Sequence, residues 1–296
     1  MAPDAEPGCA GQGRSHRADR STRGEELVDS YTPADVKAPV LRALIFDVDG
    51  TLADTERDGH RPAFNAAFTE HGLDVRWSVE EYGRLLKITG GHRRIAADLR
   101  TRGMGDEADE IAQRIHTTKT ALFRESILAG TIVARPGLVE LVESLTAARL
   151  RVAIATTGRR SWVEPLVARL LGEGIAEVVV TGDDVSRLKP DPEVYRLALE
   201  QLELPASQAM AVEDSAVGLA AATAAGLATV VVTNGYTVAQ DFTGAAVVLA
   251  AFADPEPLTA GRCRDIHREW WTERADVIDA TTPCSYPTRP LGTEQM

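Results

Sequence analysis

Short hydrophobic runs recur along the middle of the chain, each halted by acids, hydroxyls or glycine. Leu44-Ile45-Phe46 gives way to Asp47-Val48-Asp49-Gly50-Thr51. Arg151 to Thr157, Ala176 to Gly182, Gln208 to Asp214, Ala228 to Asn234 and Ala246 to Ala250 repeat the form. Runs this short and this apolar predict buried strands that open into polar loops. Between them apolar residues return at helical spacing. Leu138, Val139, Leu141, Val142 and Leu145 follow Arg135-Pro136-Gly137, and Trp162, Leu166 and Leu170 mark a second helix. Val194 to Leu202 and Ala216 to Ala225, closed by Gly226, predict two more. Strand alternating with helix predicts an α/β fold whose parallel sheet is covered on both faces. Such sheets bind ligands beyond their C-terminal strand ends, where the acids and hydroxyls fall here.

Residues 56–133 break the rhythm. Valine-rich strands are missing, and Phe64, Phe68, Tyr82, Leu85, Ile95, Leu99, Ile111, Ile115 and Phe123 predict a bundle of short helices. Coming straight after the first strand, this bundle reads as an inserted cap over the strand ends. The division expected is a core of residues 39–55 and 134–255 with a cap of 56–133. Residues 1–38, rich in Gly, Ser, Arg and acids, read as a poorly ordered extension, with Arg14, Arg17, Arg20 and Arg23 as a solvated series. Past Pro257 the pattern dissolves into an irregular or helical tail, 256–296. There Trp270-Trp271 is expected to dock on the core, and Pro283, Pro287 and Pro290 to keep the end irregular.

Composition narrows the function. With 44% hydrophobic and 26% charged residues, most of the 296-residue chain can bury a core. Lys+Arg 32 against Asp+Glu 44 leaves a net charge of -12, which disfavours nucleic acid or an anionic membrane as a partner. A small anionic substrate stays open, because a local cation can outweigh the global charge. The three cysteines, Cys9, Cys263 and Cys284, lie too far apart for a zinc knuckle, and their odd number argues for a reducing compartment. With no run long enough for a membrane span and no signal-peptide core, a cytoplasmic protein is expected.

The chemistry gathers at the strand ends. Asp47 and Asp49 end the first strand and Glu213-Asp214 another. Neighbouring strands of a parallel sheet can bring these acids together, and such a cluster repels itself unless a hard cation such as Mg2+ sits among the oxygens. Lys189, in Leu188-Lys189-Pro190-Asp191-Pro192, could neutralise an anionic substrate, and Thr156 offers a hydroxyl from a third strand. Together they point to phosphoryl chemistry.

In these residues the chain resembles haloacid-dehalogenase-superfamily phosphohydrolases with a helical cap in the first insertion site. Asp47-Val48-Asp49-Gly50-Thr51 matches the first motif of that family, Thr156 the second, Lys189 the third and Glu213-Asp214 the fourth. The resemblance spans about residues 41–252 and implies a Rossmann-like α/β core with a helical-bundle cap. It also implies roles. Asp47 attacks phosphorus to form an aspartyl-phosphate, and Asp49 serves as acid and then base. Thr156 and Lys189 hold the phosphoryl oxygens. Mg2+ is bound by Asp47, the Asp49 carbonyl and Asp214, with Glu213 as a ligand or as a support to one. The acid at 49 separates the chain from the metal-free dehalogenases.

A narrower resemblance is to the CbbY group of sugar-bisphosphate phosphatases. It rests on Thr51-Leu-Ala-Asp-Thr-Glu-Arg-Asp-Gly-His-Arg61 and Ile88-Thr-Gly-Gly-His-Arg-Arg-Ile95. It implies xylulose-1,5-bisphosphate as substrate and a cap site for the far phosphate. Arg94 is the first choice for that site, with Arg93 and His92 beside it. Glu56 and His60 at the entrance to the cap are candidates for binding sugar hydroxyls or for steering proton transfer. The chain departs from the group at His92, where a lysine is usual, and at Gly158, where a hydroxyl residue is. Arg159 or Arg160 is a candidate to supply the missing charge from the core side. Lys119 reads as a solvated lysine or a further cap contact. The expected partner is a small phosphorylated sugar, and the expected state a monomer. A phosphosugar mutase resembling beta-phosphoglucomutase, a phosphoglycolate phosphatase and a binding module on an inactive phosphatase fold are the alternatives.

Overall fold

The computed structural model describes residues 38–281 apart from Thr89, with side chains as far as Arg274. The N-terminal extension with its arginine series, the proline-rich end, Cys9 and Cys284 lie outside the described residues. Among the described residues no helix is long and apolar enough to cross a membrane.

Strands β1 (Ala43–Phe46), β2 (Arg151–Ala155), β3 (Ala176–Val180), β4 (Ala209–Glu213), β5 (Ala228–Val232) and β6 (Val247–Leu249) form one parallel sheet. Their order is β3-β2-β1-β4-β5-β6. The chain winds outward from β1 on one side and returns to β4 on the other. The crevice for a ligand therefore lies at the C-terminal ends of β1 and β4.

Nine helices accompany the sheet among the described residues: α1 (Arg61–Glu70), α2 (Val79–Leu85), α3 (Gly91–Thr101), α4 (Ala108–Leu128), α5 (Leu138–Ala147), α6 (Arg160–Leu171), α7 (Glu193–Leu202), α8 (Ala216–Ala224) and α9 (Ala260–Thr281). Strand alternation sorts the core into two layers. Leu44, Phe46, Val152, Ile154, Met210 and Val212 face α5, α6 and α9. Ala43, Ile45, Ala153, Ala155, Ala209 and Ala211 face α7 and α8. The second face is largely alanine, which lets those helices approach closely and brings Tyr195 of α7 to the strand ends.

Between β1 and α5 the regular elements among the described residues are all helices joined by loops, as the missing strand pattern predicts. Phe64, Phe68, Trp77, Tyr82, Ile95, Leu99 and Ile115 form a hydrophobic cluster of their own there. One detail differs from expectation. The helices are not all short, since α4 runs 21 residues. The segment after Pro257, expected as irregular or helical, takes the helical form and does so at length, for α9 is a 22-residue helix. Its apolar stripe is sparse: among the residues of α9 whose side chains are described, Ala260, Cys263, His267 and Trp270 are the buried ones, too few to stand out against the charged remainder. Trp270 docks on the core cluster as expected.

Candidate active site

The β1–β4 register pairs Phe46 with Val212, so Asp47 and Glu213 follow side by side. Lys189 fits between them. Its Nζ donates to Asp47 Oδ1 and Glu213 Oε1, each at 2.7 Å. Tyr195 donates to the same Glu213 oxygen at 2.6 Å. The other oxygen, Oε2, accepts from the backbone N–H of Asp214 at 3.2 Å. Glu213 therefore orients the lysine, and its carboxylate is largely used by protein donors. Burial works against the Lys189 ammonium, but the charges of Asp47 and Glu213 outweigh it and hold the group protonated above the usual lysine range.

Asp214 turns the other way. Asn234 donates to its Oδ2 at 2.7 Å. Burial, then the charges of Asp47 and Glu213, hold the Asp214 carboxyl well above the ordinary range. Burial likewise pushes Asp47 up to about 7 against the pull of Lys189. Asp47, Glu213 and Asp214 each bring an oxygen within 4.8 Å of the others. One ammonium does not offset three buried carboxylates. The excess negative charge and the oxygen-only donor set fit a hard divalent cation.

Two glycines make the cluster possible. A Cβ on Gly50, whose φ is +82°, would lie 2.3 Å from Asp214 Oδ2. A Cβ on Gly218 would lie 1.9 to 2.1 Å from the Glu213 carboxylate atoms. Gly218→Ala is therefore expected to displace Glu213 and with it Lys189. It should lower phosphatase activity by about tenfold or more and cost about 1–3 kcal/mol of stability. A denaturant titration beside initial rates checks this, and wild-type values for both would refute it.

Asp49 is held separately. Thr55 Oγ1 donates to its Oδ1, and His60 Nε2 lies 3.5 Å from the same atom. Burial pushes the carboxyl up, but the bonds from His60 and Thr55 and the charges of His60 and Lys119 carry it below the usual range. Lys119 Nζ lies 2.8 Å from His60 Nδ1, and over the Phe64 and Phe123 rings at 4.6 and 5.0 Å. It is not the solvated lysine its polar surroundings in sequence suggest, for only 7% of it is exposed. Helical spacing on α4 turns it inward with Ile115 and Phe123.

Burial lowers Lys119 to about 8 despite the attraction of Glu56 and Asp49. Its folded pKa is thus below the unfolded value of 10.5. A charged Lys119 therefore costs stability below pH 8, and the cost disappears as pH rises toward 10.5. Lys119→Met is expected to stabilise the protein at pH 7 by about 1–3 kcal/mol, a few degrees of Tm, while lowering activity. Thermal melts at pH 7 and at pH 10 check the sign. A loss of Tm at neutral pH, or an equal gain at both, would contradict it.

The remaining candidates separate. Arg94 is buried, donating to Leu85 O at 3.1 Å and to Tyr82 Oη at 3.0 Å, and Tyr82 in turn donates to Glu56. His92 is half-buried, its Nε2 3.2 Å from Asp109 O, and Arg93 is exposed. Arg159 is 71% exposed and paired with Asp183 at 2.5 Å, so its charge is already met. Thr156 is fully buried, its Oγ1 accepting from Gly158 N at 3.0 Å, which leaves its proton free to donate.

Several residues of the site were not singled out from sequence. Asn234 ends the β5 run, a strand-end position that could have marked it. Tyr195, Thr55 and Tyr82 carry no such signal. Arg135 was noted only as a helix flank, yet it is buried and donates to Gly50 O at 2.6 Å, Val232 O at 2.8 Å and Thr233 O at 2.6 Å. It ties the loop after β1 to the end of β5. A cleft lined by Gly50, Asp54, Glu56, Asn234 and Tyr236 opens beside it.

The family model for haloacid dehalogenase-like hydrolases matches residues 41–226. The chain belongs to this family. It is 45% identical over 208 residues to Protein CbbY of Rhodobacter capsulatus, covering 69% of this chain and 91% of that one. The crystal structure of CbbY from Rhodobacter sphaeroides in complex with phosphate is similar at 42% identity and a TM-score of 0.64, covering 74% of this chain and 98% of that one. A mutant of that protein, solved with xylulose-(1,5)bisphosphate, gives 41% identity, the same TM-score and the same coverage. The chain is thus a haloacid-dehalogenase-type phosphoric monoester hydrolase related to CbbY, and its Asp47, Glu213 and Asp214 cluster suits the divalent metal of such enzymes.

Proposed function

We propose that the chain is a Mg2+-dependent phosphatase of sugar bisphosphates, with xylulose-1,5-bisphosphate as its preferred substrate. The observation that carries this is the 41% identity, over 98% of its length, to the protein solved with that compound. In this reading residues 56–133 form the cap, and Asp47, Asp214 and the Asp49 carbonyl hold Mg2+. When bound there, the metal offsets the phosphate charge facing Asp47.

The protein's own groups do the rest. Lys189 holds a phosphoryl oxygen and aligns Asp47, and Thr156 donates its hydroxyl proton to another. The Asp47 carboxylate forms a bond to phosphorus while the bond from phosphorus to the sugar oxygen breaks. Asp49, charged in the free protein, takes up a proton from solvent as the phosphate charge settles beside it, and gives that proton to the departing oxygen. Asp49, now charged and held by Thr55 and His60, next takes a proton from the water that cleaves the aspartyl-phosphate. Arg94, braced by Tyr82 and Leu85, is the cap residue that meets the far phosphate, with Glu56 and His60 nearer the sugar hydroxyls.

Initial-rate phosphate release with Mg2+ tests the assignment across xylulose-1,5-bisphosphate, ribulose-1,5-bisphosphate, fructose-1,6-bisphosphate, beta-glucose-1-phosphate and phosphoglycolate. The expected result is a kcat/KM for xylulose-1,5-bisphosphate at least about tenfold above the others. Comparable rates on all five would sink the substrate assignment and leave the phosphohydrolase standing.

A further inference from the structure

Gly158 stands where the CbbY pattern carries a hydroxyl residue, and the structure supplies a reason. A Cβ at this position would lie 2.4 Å from Trp162 Cζ2, 2.7 Å from Cη2 and 2.8 Å from Val163 Cγ2. The indole fills the space a side chain at 158 would need. Gly158 and Trp162 are therefore a matched pair: the glycine admits the tryptophan. From α6 of the core the indole reaches the helical insertion. Its ring centroid is 5.3 Å from Phe123 and 5.9 Å from His60, edge-on to both. Phe123 packs against the other ring at 3.8 Å from the His60 centroid.

His60 is thus flanked by Phe123, tilted 33° against it, and by Trp162, perpendicular to it, while Lys119 and Asp49 take its two nitrogens. This packing matters because of the backbone beneath it. His60 ends a π-helical turn, Thr55–His60. Such wide turns are rare and recur at functional sites. Gly59, in the same turn, would meet Phe123 at 2.6 Å if it bore a Cβ, so the turn is pressed against the same aromatic group.

We propose that Trp162, admitted by Gly158, is a positioning residue that fixes the His60 imidazole and through it the Asp49 carboxyl. This rests on Asp49 being the group that protonates the leaving oxygen. Trp162 touches neither the carboxylate cluster nor Lys189 in the contacts described, so its loss should spare the Asp47 side of the reaction. The proton delivered by Asp49 matters most when the departing oxygen is strongly basic and least when it leaves readily by itself.

The test is kcat/KM with Mg2+ on 4-nitrophenyl phosphate and on phenyl phosphate, since this ratio covers the steps up to departure of the leaving group. Trp162→Ala, Trp162→Phe and Gly158→Ala are compared with wild type, with Asp49→Asn as the reference. Trp162→Ala and Gly158→Ala are expected to lose about tenfold on phenyl phosphate and less than about twofold on 4-nitrophenyl phosphate. Trp162→Phe should fall between them and wild type. Asp49→Asn should show the same selectivity at about a hundredfold or more. Equal losses on both esters in the Trp162 and Gly158 variants would reduce the pair to packing and overturn the proposal, even with Asp49→Asn selective. If Asp49→Asn itself shows no selectivity, the role of Asp49 fails and the proposal with it. Should Trp162→Ala not fold, Gly158→Ala and Trp162→Phe decide the question alone.

Discussion

Asp47→Asn is expected to lower phosphate release by at least about 10⁴-fold on every ester. The amide keeps the shape of the side chain but cannot attack phosphorus. Its effect on the fold should be small. Lys189 keeps Glu213 and Tyr195 as neighbours, and the substitution removes one of three buried negative charges. Wild-type protein quenched in acid during turnover should carry a phosphoryl group on the peptide containing Asp47, detectable by mass spectrometry, and the variant none. Turnover within about a hundredfold of wild type would rule out Asp47 as nucleophile.

Asp214→Asn should show the opposite balance of stability and function. Asp214 is the carboxylate most disfavoured in its charged form, by burial and by Asp47 and Glu213. Its side-chain partner, Asn234, can still donate to the amide oxygen. Without metal, the variant is therefore expected to be more stable than wild type by about 1–2 kcal/mol. Saturating Mg2+ should raise the Tm of wild type by several degrees, since ligand at about a hundred times Kd adds about 2.7 kcal/mol. That gain should vanish in the variant, together with about 10²-fold or more of activity. Melting curves with EDTA and with Mg2+ separate the two effects. A variant that loses stability in EDTA, or keeps the full Mg2+ gain, would show that the repulsion argument misplaces the metal.

These expectations draw unequally on sequence and structure. The sheet was legible because each strand is a near-continuous apolar run, buried throughout in β1, β4 and β5, and the core helices because their apolar residues repeat with the helical period. The principal acids, Asp47, Asp49, Glu213 and Asp214, were legible because strands that end in acids declare themselves. Lys189 stood out within Leu188-Lys189-Pro190-Asp191-Pro192 as a cation for an anionic substrate, and Thr156 as a strand-end hydroxyl. The tail after Pro257 was left open between irregular chain and helix because few residues of α9 are buried, so its period is weak. Lys119 was misjudged because four residues of polar sequence around it, Thr117-Thr118 and Thr120 among them, conceal the face it occupies.

Sequence by itself determined the fold class, the strand ends that carry the chemistry and the residue types that perform it. These follow from local periodicity and from which side chains halt each run. Only the tertiary structure decided which acids share a lysine, which guanidiniums are free and which tryptophan reaches the insertion. Arg159 follows Gly158 in the sequence, and Arg94 lies three residues after Gly90-Gly91. Asp183 meets the charge of one in solvent, while Tyr82 and Leu85 bury the other. That difference is set by contacts between residues far apart in the chain, and so by packing rather than pattern.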